Sequence, residues 1–362
     1  MANIMLTDTC NLKCPYCFAN EFVNHQVNEI SLENFKKALD FVATERNPNC
    51  KLGLIGGEPT LHSHFKEILQ ILINDPRFNS VILFTNGVKI DEFASELSHP
   101  KFHILWNCNS PRDIGQKPYD KMVANLDMLI NEKYMKNKIT LGINIYENDF
   151  QYDYILDLLK KYKYDHVRMS IVVPNTSEKR DFNVKNYFLA IKPKFKEFLF
   201  AMLANDIMPT YDCNKMPACL LEDKEMASIQ EMVQKKLKER QMKGLPPVGL
   251  PPQSSAIFTD FVTCSPVIDI RQDLTAVRCF GLSDCTKTKI TDFKTIVDLR
   301  NYYYNEIDSY MHKVGINEDC HDCYRRKSMI CTGGCFAFKI AKVLKLKEEV
   351  ERLSWGSSED GK

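Results

Sequence analysis

Short apolar runs alternate with amphipathic stretches through roughly the first 200 residues. The runs are Asn3–Thr7, Lys51–Ile55, Ser80–Thr85, His103–Asn107, Ile139–Ile145 and His166–Val173. Each is short and rich in Val, Ile or Leu, the pattern of a strand buried on both faces of a parallel sheet. Between the runs, apolar residues recur at helical spacing. Ser31 is placed to cap a helix over Leu32–Glu45, with Phe35, Leu39, Phe41 and Val42 on or beside one face. Further helices are predicted over His64–Ile73, Tyr119–Asn131, Tyr152–Tyr162 and Val184–Ala204. Strand–helix repetition predicts an α/β fold, a parallel sheet curling into a partial (β/α)6 barrel. Sites in such folds gather at the C-terminal strand ends.

Past residue 205 the alternation stops. Glu222–Lys243 is charged and helical, and the Pro- and Gly-rich run from Gly244 to Ser255 reads as an extended connector. Residues 256–335 carry seven cysteines among short strand-like pieces, and Phe336–Leu353 is predicted to be a terminal helix. The organisation expected is a barrel over 1–204, a connector with a helix and the Pro-rich insert over 205–256, and a cysteine-rich domain with its terminal helix over 257–362.

Composition removes several function classes. The 48 Lys and Arg residues balance 47 Asp and Glu, so no nucleic-acid or anionic-membrane footprint is expected. No signal peptide is read at the N-terminus, and the apolar run Phe198–Leu203 is far too short to span a bilayer. A soluble cytoplasmic protein is expected, and there the 14 cysteines of a 362-residue chain read as metal ligands rather than disulfides. Cys50 and Cys108 stand apart and read as small, partly buried residues beside strands. The other twelve fall at 10–17 and 213–335.

Cys10-Asn-Leu-Lys-Cys14-Pro-Tyr-Cys17 follows directly on the first strand. Three thiolates on one loop can hold a four-iron cluster and leave one iron open for chemistry. A zinc ion would want a fourth close ligand, and the next candidate is His25. The loop, with Tyr16 before its third cysteine, resembles the signature of the radical S-adenosylmethionine (radical SAM) superfamily. Gly56-Gly57-Glu58-Pro59-Thr60, at the end of the second strand, resembles that superfamily's GGEP segment. The resemblance implies glycines that let backbone approach a ligand, and a Glu58 carboxylate that meets the cofactor's ammonium. Thr85-Asn86-Gly87 is similar to the polar end of the family's third strand, near the ribose. The fourth strand reads Trp106-Asn-Cys-Asn-Ser110 where related enzymes often carry Ser-x-Asp. Asn144, Arg168 and Ser170 are further candidates at the barrel mouth. The implied chemistry is reductive cleavage of S-adenosylmethionine to a 5′-deoxyadenosyl radical, which takes hydrogen from a substrate carbon.

Cys320-His-Asp-Cys323 precedes Cys331-Thr-Gly-Gly-Cys335, and upstream lie Cys213, Cys219, Cys264, Cys279 and Cys285. The order resembles the SPASM auxiliary-cluster domain: two early cysteines, then C-x2-C, C-x5-C-x3-C and one more. Here the middle gap is seven residues, and no cysteine follows Cys335. Nine cysteines suffice for two fully ligated four-iron clusters, making three clusters in all. By resemblance Cys264, Cys279 and Cys335 share one with Cys213 or Cys219. Cys320, Cys323 and Cys331 share the other, whose fourth ligand is Cys285, Cys213 or none. Paired zinc ribbons are the rival, but their C-x2-C knuckle normally comes twice.

SPASM-type enzymes mostly modify peptides or proteins, so the expected substrate is a peptide or protein and the expected product a cross-link or thioether. Small-molecule chemistry, sulfatase-maturase-like oxidation and a non-enzymatic electron carrier are the alternatives. Phe280 follows Cys279 where sulfatase-maturing members place an Asp, which weakens the oxidation reading. A flavodoxin- or ferredoxin-type donor is the implied electron source. Only nine residues precede Cys10, so leader recognition is expected from a separate peptide-binding protein, from the insert around Leu221–Ala256, or not at all.

Overall fold

The computed structural model describes residues 2–17, 23–24, 28–46, 51–173, 183–211, 214–221, 223–244, 264–282, 286–329, 331–340 and 342–343. Cys50, Cys213, Cys285, His25, most of the Pro-rich connector and the terminal helix beyond residue 343 lie outside them.

The expected repeats form in order: β1 (Ala2–Met5), α1 (Leu32–Ala43), β2 (Lys51–Ile55), α2 (Phe65–Asn74), β3 (Ser80–Thr85), α3 (Ala94–Leu97), β4 (Phe102–Asn107), α4 (Pro111–Ile114), α5 (Gln116–Asn131), β5 (Ile139–Ile145), α6 (Asp153–Lys161) and β6 (His166–Ile171). Ser31 caps α1 as its position predicts, accepting the Asn34 N–H at 3.1 Å. The alternation continues for one more unit than the sequence suggests. α7 (Val184–Ala204) is followed by β7 (Met208–Tyr211), which pairs in parallel with β6. Then come α8 (Asp223–Met242), β8 (Ile268–Ile270), β9 (Thr275–Val277), β10 (Thr288–Lys289) and α9 (Ile296–Tyr302).

All these strands join one open sheet in the order β10-β9-β8-β1-β2-β3-β4-β5-β6-β7. β1 to β7 are parallel, β8 adds in parallel to the free side of β1, and β9 and β10 follow antiparallel. The cysteine-rich segment is thus stitched to the barrel through β1.

Register separates the two sheet faces, because successive side chains point opposite ways. Ile4, Leu54, Leu83, Ile104 and Ile139 lie in one row across five strands. That row is buried in one core with Phe35, Leu39, Leu69, Leu126 and Leu159 of the helices. The alternate positions form a second face: Asp269, Asn3, Gly53, Ile82 and His103 in one row, and Asn107, Gly142, Arg168 and Thr210 in another. The near-continuous apolar runs predict burial on both faces. The helix-covered face is apolar apart from Thr85 at the end of β3, and the other carries most of the polar groups.

Candidate functional site

The cysteine loop is held by an extension of the β1–β2 ladder. Past the strand ends, Gly57 N–H donates to Thr7 O and Glu58 N–H to Thr9 O, each at 2.8 Å. A Cβ on Gly56 would stand 2.6 Å from Thr7 O, and one on Gly57 2.4 Å from Thr9 O. The two glycines therefore let backbone approach backbone, closer than any side chain permits. Here they serve to seat the loop that begins at Cys10. Within it the Cys10 N–H donates to Asn24 Oδ1 at 2.8 Å, Leu12 N–H to Cys10 Sγ at 3.5 Å, and Cys17 N–H to Cys14 O at 3.1 Å.

Burial raises the Cys10 thiol to about 11, with the charges of Glu58 and Cys17 adding to it. Burial and the charges of Cys10 and Cys17 push Cys14 up to about 12. Three soft donors that oppose one another's ionisation share one loop, and bound iron would relieve that opposition by holding them as thiolates. The donor set fits an iron–sulfur cluster.

Glu58 is 1 % exposed, and both its oxygens are engaged. Oε1 accepts the Thr60 hydroxyl and the Thr85 hydroxyl, each at 2.7 Å, and Oε2 accepts the Asn86 N–H at 2.8 Å. Burial pushes its carboxyl pKa up against these hydrogen bonds. The Asn86 side chain donates to Asn11 Oδ1 at 2.9 Å and approaches Cys10 Sγ at 4.0 Å. Glu58, Thr85 and Asn86 thus form one bonded group against the cysteine loop.

Tyr16 meets the ends of β4 and β5. Its hydroxyl donates to Asn109 Oδ1, and its ring lies 4.9 Å from that of Tyr146. The Tyr146 hydroxyl donates to Asp113 Oδ1 at 2.6 Å. Asn109, Asp113 and Tyr146 join the candidate site through these contacts, and the strand pattern does not single them out. Asn109 had a signal, since it sits in the divergent Trp106–Ser110 segment. Arg168 donates to Asn107 Oδ1 at 3.3 Å and lies over Gly142, where a Cβ would meet its guanidinium at 3.2 Å. Ser170 is buried beside Asn144 in the register. Cys108 is buried, and its N–H continues the β4–β5 ladder to Gly142 O at 2.9 Å, the role of a small core residue.

The second group of cysteines also assembles. Cys219 is exposed at the surface, yet the chain packed around its sulfur desolvates the thiol and raises it to about 11, and the charges of Cys320, Cys331 and Cys323 add to this. The Cys335 thiol donates to Asn214 Oδ1 at 2.9 Å. Arg278 NH1 reaches Cys264 Sγ at 3.4 Å and feels the charge of Cys279. Cys219 therefore stands with Cys320, Cys323 and Cys331, while Cys264 and Cys279 share Arg278. Among the described residues no three His, Cys, Asp or Glu side chains converge on a single metal ion. The thiolates of a four-iron cluster each bind a different iron and stand further apart than that. No helix among the described residues is long and apolar enough to cross a membrane.

Comparison with known proteins agrees with this geometry. Residues 4–154 match the Radical SAM superfamily. The 7,8-dihydro-6-hydroxymethylpterin dimethyltransferase of Methanocaldococcus jannaschii is 40% identical over 90 residues, 25% of this chain and 18% of that protein. The cysteine-type anaerobic sulfatase-maturating enzyme of Clostridium perfringens is 27% identical over 213 residues, 56% of this chain and 50% of that protein. The chain thus spans half or less of the length of these relatives. In fold it is similar to anSMEcpe with bound AdoMet and Cp18Cys peptide (TM-score 0.60, 17% identity, 96% of this chain and 99% of that one). It is likewise similar to Streptococcus suis SuiB bound to S-adenosylmethionine (TM-score 0.59, 17% identity, 94% of this chain and 73% of that one). The stretch that matches the Radical SAM superfamily holds both the Cys10–Cys17 loop and the Gly56–Glu58 backbone on which that loop is seated.

Proposed function

We propose that the protein is a cytoplasmic radical SAM enzyme that modifies a peptide or protein, forming a cross-link or thioether in a ribosomally made peptide. Cys10, Cys14 and Cys17 hold one four-iron cluster. Gly56, Gly57, Glu58, Thr85 and Asn86 bind S-adenosylmethionine, with Tyr16, Asn144, Arg168 and Ser170 around it. When bound, cluster and cofactor together supply a 5′-deoxyadenosyl radical. The chain's own residues do the positioning. The Glu58 group fixes the ends of β2 and β3 against the cysteine loop. The polar sheet face, with Asn107, Asn144 and Arg168, orients the substrate carbon and keeps it from water. Electrons come from a flavodoxin- or ferredoxin-type donor, and a separate peptide-binding protein recognises any leader.

The observation that carries the reading is the reach of the fold likeness. It covers 96% of this chain on anSMEcpe, which holds a peptide, and so includes the cysteine-rich segment as well as the barrel. The reading includes two auxiliary clusters, with Cys219, Cys320, Cys323 and Cys331 for one, and Cys264, Cys279 and Cys335 for the other, and with Cys213 or Cys285 available to complete it. The pterin-modifying relative supports a second reading, in which the substrate is a small molecule. Anaerobic turnover with S-adenosylmethionine, a reductant and the peptides encoded nearby tests both. A peptide lighter by two hydrogen atoms supports the first. Formation of 5′-deoxyadenosine only with a small heterocycle supports the second.

A further inference from the structure

Lys339 is wholly buried. Its ammonium donates to three backbone carbonyls, Met311 O at 2.7 Å, Val314 O at 3.0 Å and Thr332 O. It also lies 4.5 Å from the centre of the Phe336 ring, against which Arg278 packs at 4.6 Å. Carbonyls and a ring satisfy the N–H groups but carry no net charge. A buried cation is costly unless an anion accompanies it. Among the described residues no carboxylate stands within ion-pairing distance of Lys339. The buried acid Asp308 is taken by Arg278, through Nε and through NH2 at 2.8 Å. Burial lowers the ammonium's pKa to about 8, and the groups whose ionisation would act against that are the thiols of Cys335, Cys264, Cys320 and Cys331. They come from both cysteine groups, so Lys339 is within electrostatic reach of both.

Neutral thiols leave the ammonium unpaired, whereas cysteines bound to iron are thiolates and their clusters are anionic. We infer that Lys339 is the fixed counter-charge of the auxiliary iron–sulfur sites, a positioning residue that stabilises their reduced forms. This rests on the auxiliary-cluster reading above and adds to it which protein group sets the clusters' potentials. Adding one electron to a cluster adds one negative charge, and a buried cation favours that state. The ordering of the loop comes from the same residue, since Thr332 follows Cys331 directly and lends its carbonyl to the ammonium.

The test uses the full chain, reconstituted anaerobically with iron and sulfide, as wild type, Lys339→Met and Lys339→Arg. Iron per chain and the midpoints of each cluster are read by redox titration followed by electron paramagnetic resonance. The expected result is a lower auxiliary midpoint in Lys339→Met, a return toward wild type in Lys339→Arg, and an unmoved Cys10–Cys17 signal. Lys339→Met that fails to load auxiliary iron while Lys339→Arg loads it also supports the inference, because charge alone separates the two. Equal midpoints in all three proteins overturn it. So does equal loss of auxiliary iron in both variants, which assigns Lys339 to loop packing alone. Wild type holding only the Cys10–Cys17 cluster overturns the auxiliary reading, and this inference with it.

Discussion

Glu58 accepts the backbone N–H of Asn86 at 2.8 Å, and this bond joins the end of β2 to the end of β3. The same carboxylate takes the hydroxyls of Thr60 and Thr85. Glu58→Gln puts an amide NH2 where a carboxylate oxygen now accepts, so one donor faces another. The expected cost is about 1–3 kcal/mol in urea unfolding, with weaker S-adenosylmethionine binding as the strand ends shift. Unchanged stability alongside weakened binding would show that Glu58 acts on the ligand directly and not through its neighbours.

Gly57→Ala addresses the seat of the cysteine loop. Its Cβ would stand 2.4 Å from Thr9 O, a backbone atom that cannot turn aside as a side chain can. The Glu58-to-Thr9 bond should break, at about 1–3 kcal/mol. Iron in the first cluster should fall while the circular dichroism of the barrel persists. Full iron loading in this variant would mean that the loop does not depend on that contact.

Much of this was legible in the sequence, for physical reasons. β1 to β6 announce themselves because each apolar run is bounded by turns and followed by a helical period. β7 does not: Met208-Pro-Thr-Tyr211 is four residues long and contains a proline, which local pattern counts against a strand. Joining β8 to β1 is a pairing between residues 2–4 and 268–270, and no local period can encode it. The cysteine loop was readable because spacing is chemistry. Lys339 was not, because a lysine after Phe336-Ala-Phe338 reads as the polar side of a helix until the carbonyls around it are seen. The role of Gly56 and Gly57 depends on what faces them, and the sequence cannot say that it is the Thr7–Thr9 backbone.

The proposed partition of the auxiliary ligands turns on Cys219. It stands among Cys320, Cys331 and Cys323, although the segment from which it comes precedes them by about a hundred residues. Cys219→Ala should remove up to one cluster's iron from the reconstituted protein. Cys108→Ala, a core change beside β4, should leave the iron count as it is. Equal iron in wild type and Cys219→Ala would return the fourth ligand to Cys213 or Cys285, or leave that iron open.

Asp269 makes stability depend on pH. It is buried beside β1, accepting from the Asn3 amide at 2.6 Å, and burial lifts its carboxyl to about 7 against hydrogen bonds from Asn3 and the Phe280 N–H. The folded chain therefore keeps a proton that the unfolded chain releases near its ordinary pKa of about 3.9. The contribution is full below that value and is lost as pH rises through about 7. Every tenfold difference in proton affinity between the folded and unfolded chain corresponds to about 1.4 kcal/mol. Urea midpoints should fall from about pH 5 to about pH 8, and Asp269→Asn should flatten the fall. Parallel profiles for the two proteins would place the titration elsewhere.

The widest test separates the two cysteine groups. Changing Cys10, Cys14 and Cys17 together to Ala removes the three donors beside the Glu58 group. Without them no iron is held where S-adenosylmethionine is proposed to bind, so no 5′-deoxyadenosine should form, with or without substrate. The auxiliary cysteines lie on other segments of the chain and should still load iron. Changing Cys320 and Cys323 should do the reverse. The first cluster persists, slow cofactor cleavage survives, and modified product is lost. Metal binding also contributes to folding, so iron counts and circular dichroism must accompany both assays. A well-folded Cys10/Cys14/Cys17 variant that made 5′-deoxyadenosine at the normal rate would place the chemistry outside that loop and overturn the proposed function. A Cys320/Cys323 variant that still released modified product would confine the auxiliary group to a structural part.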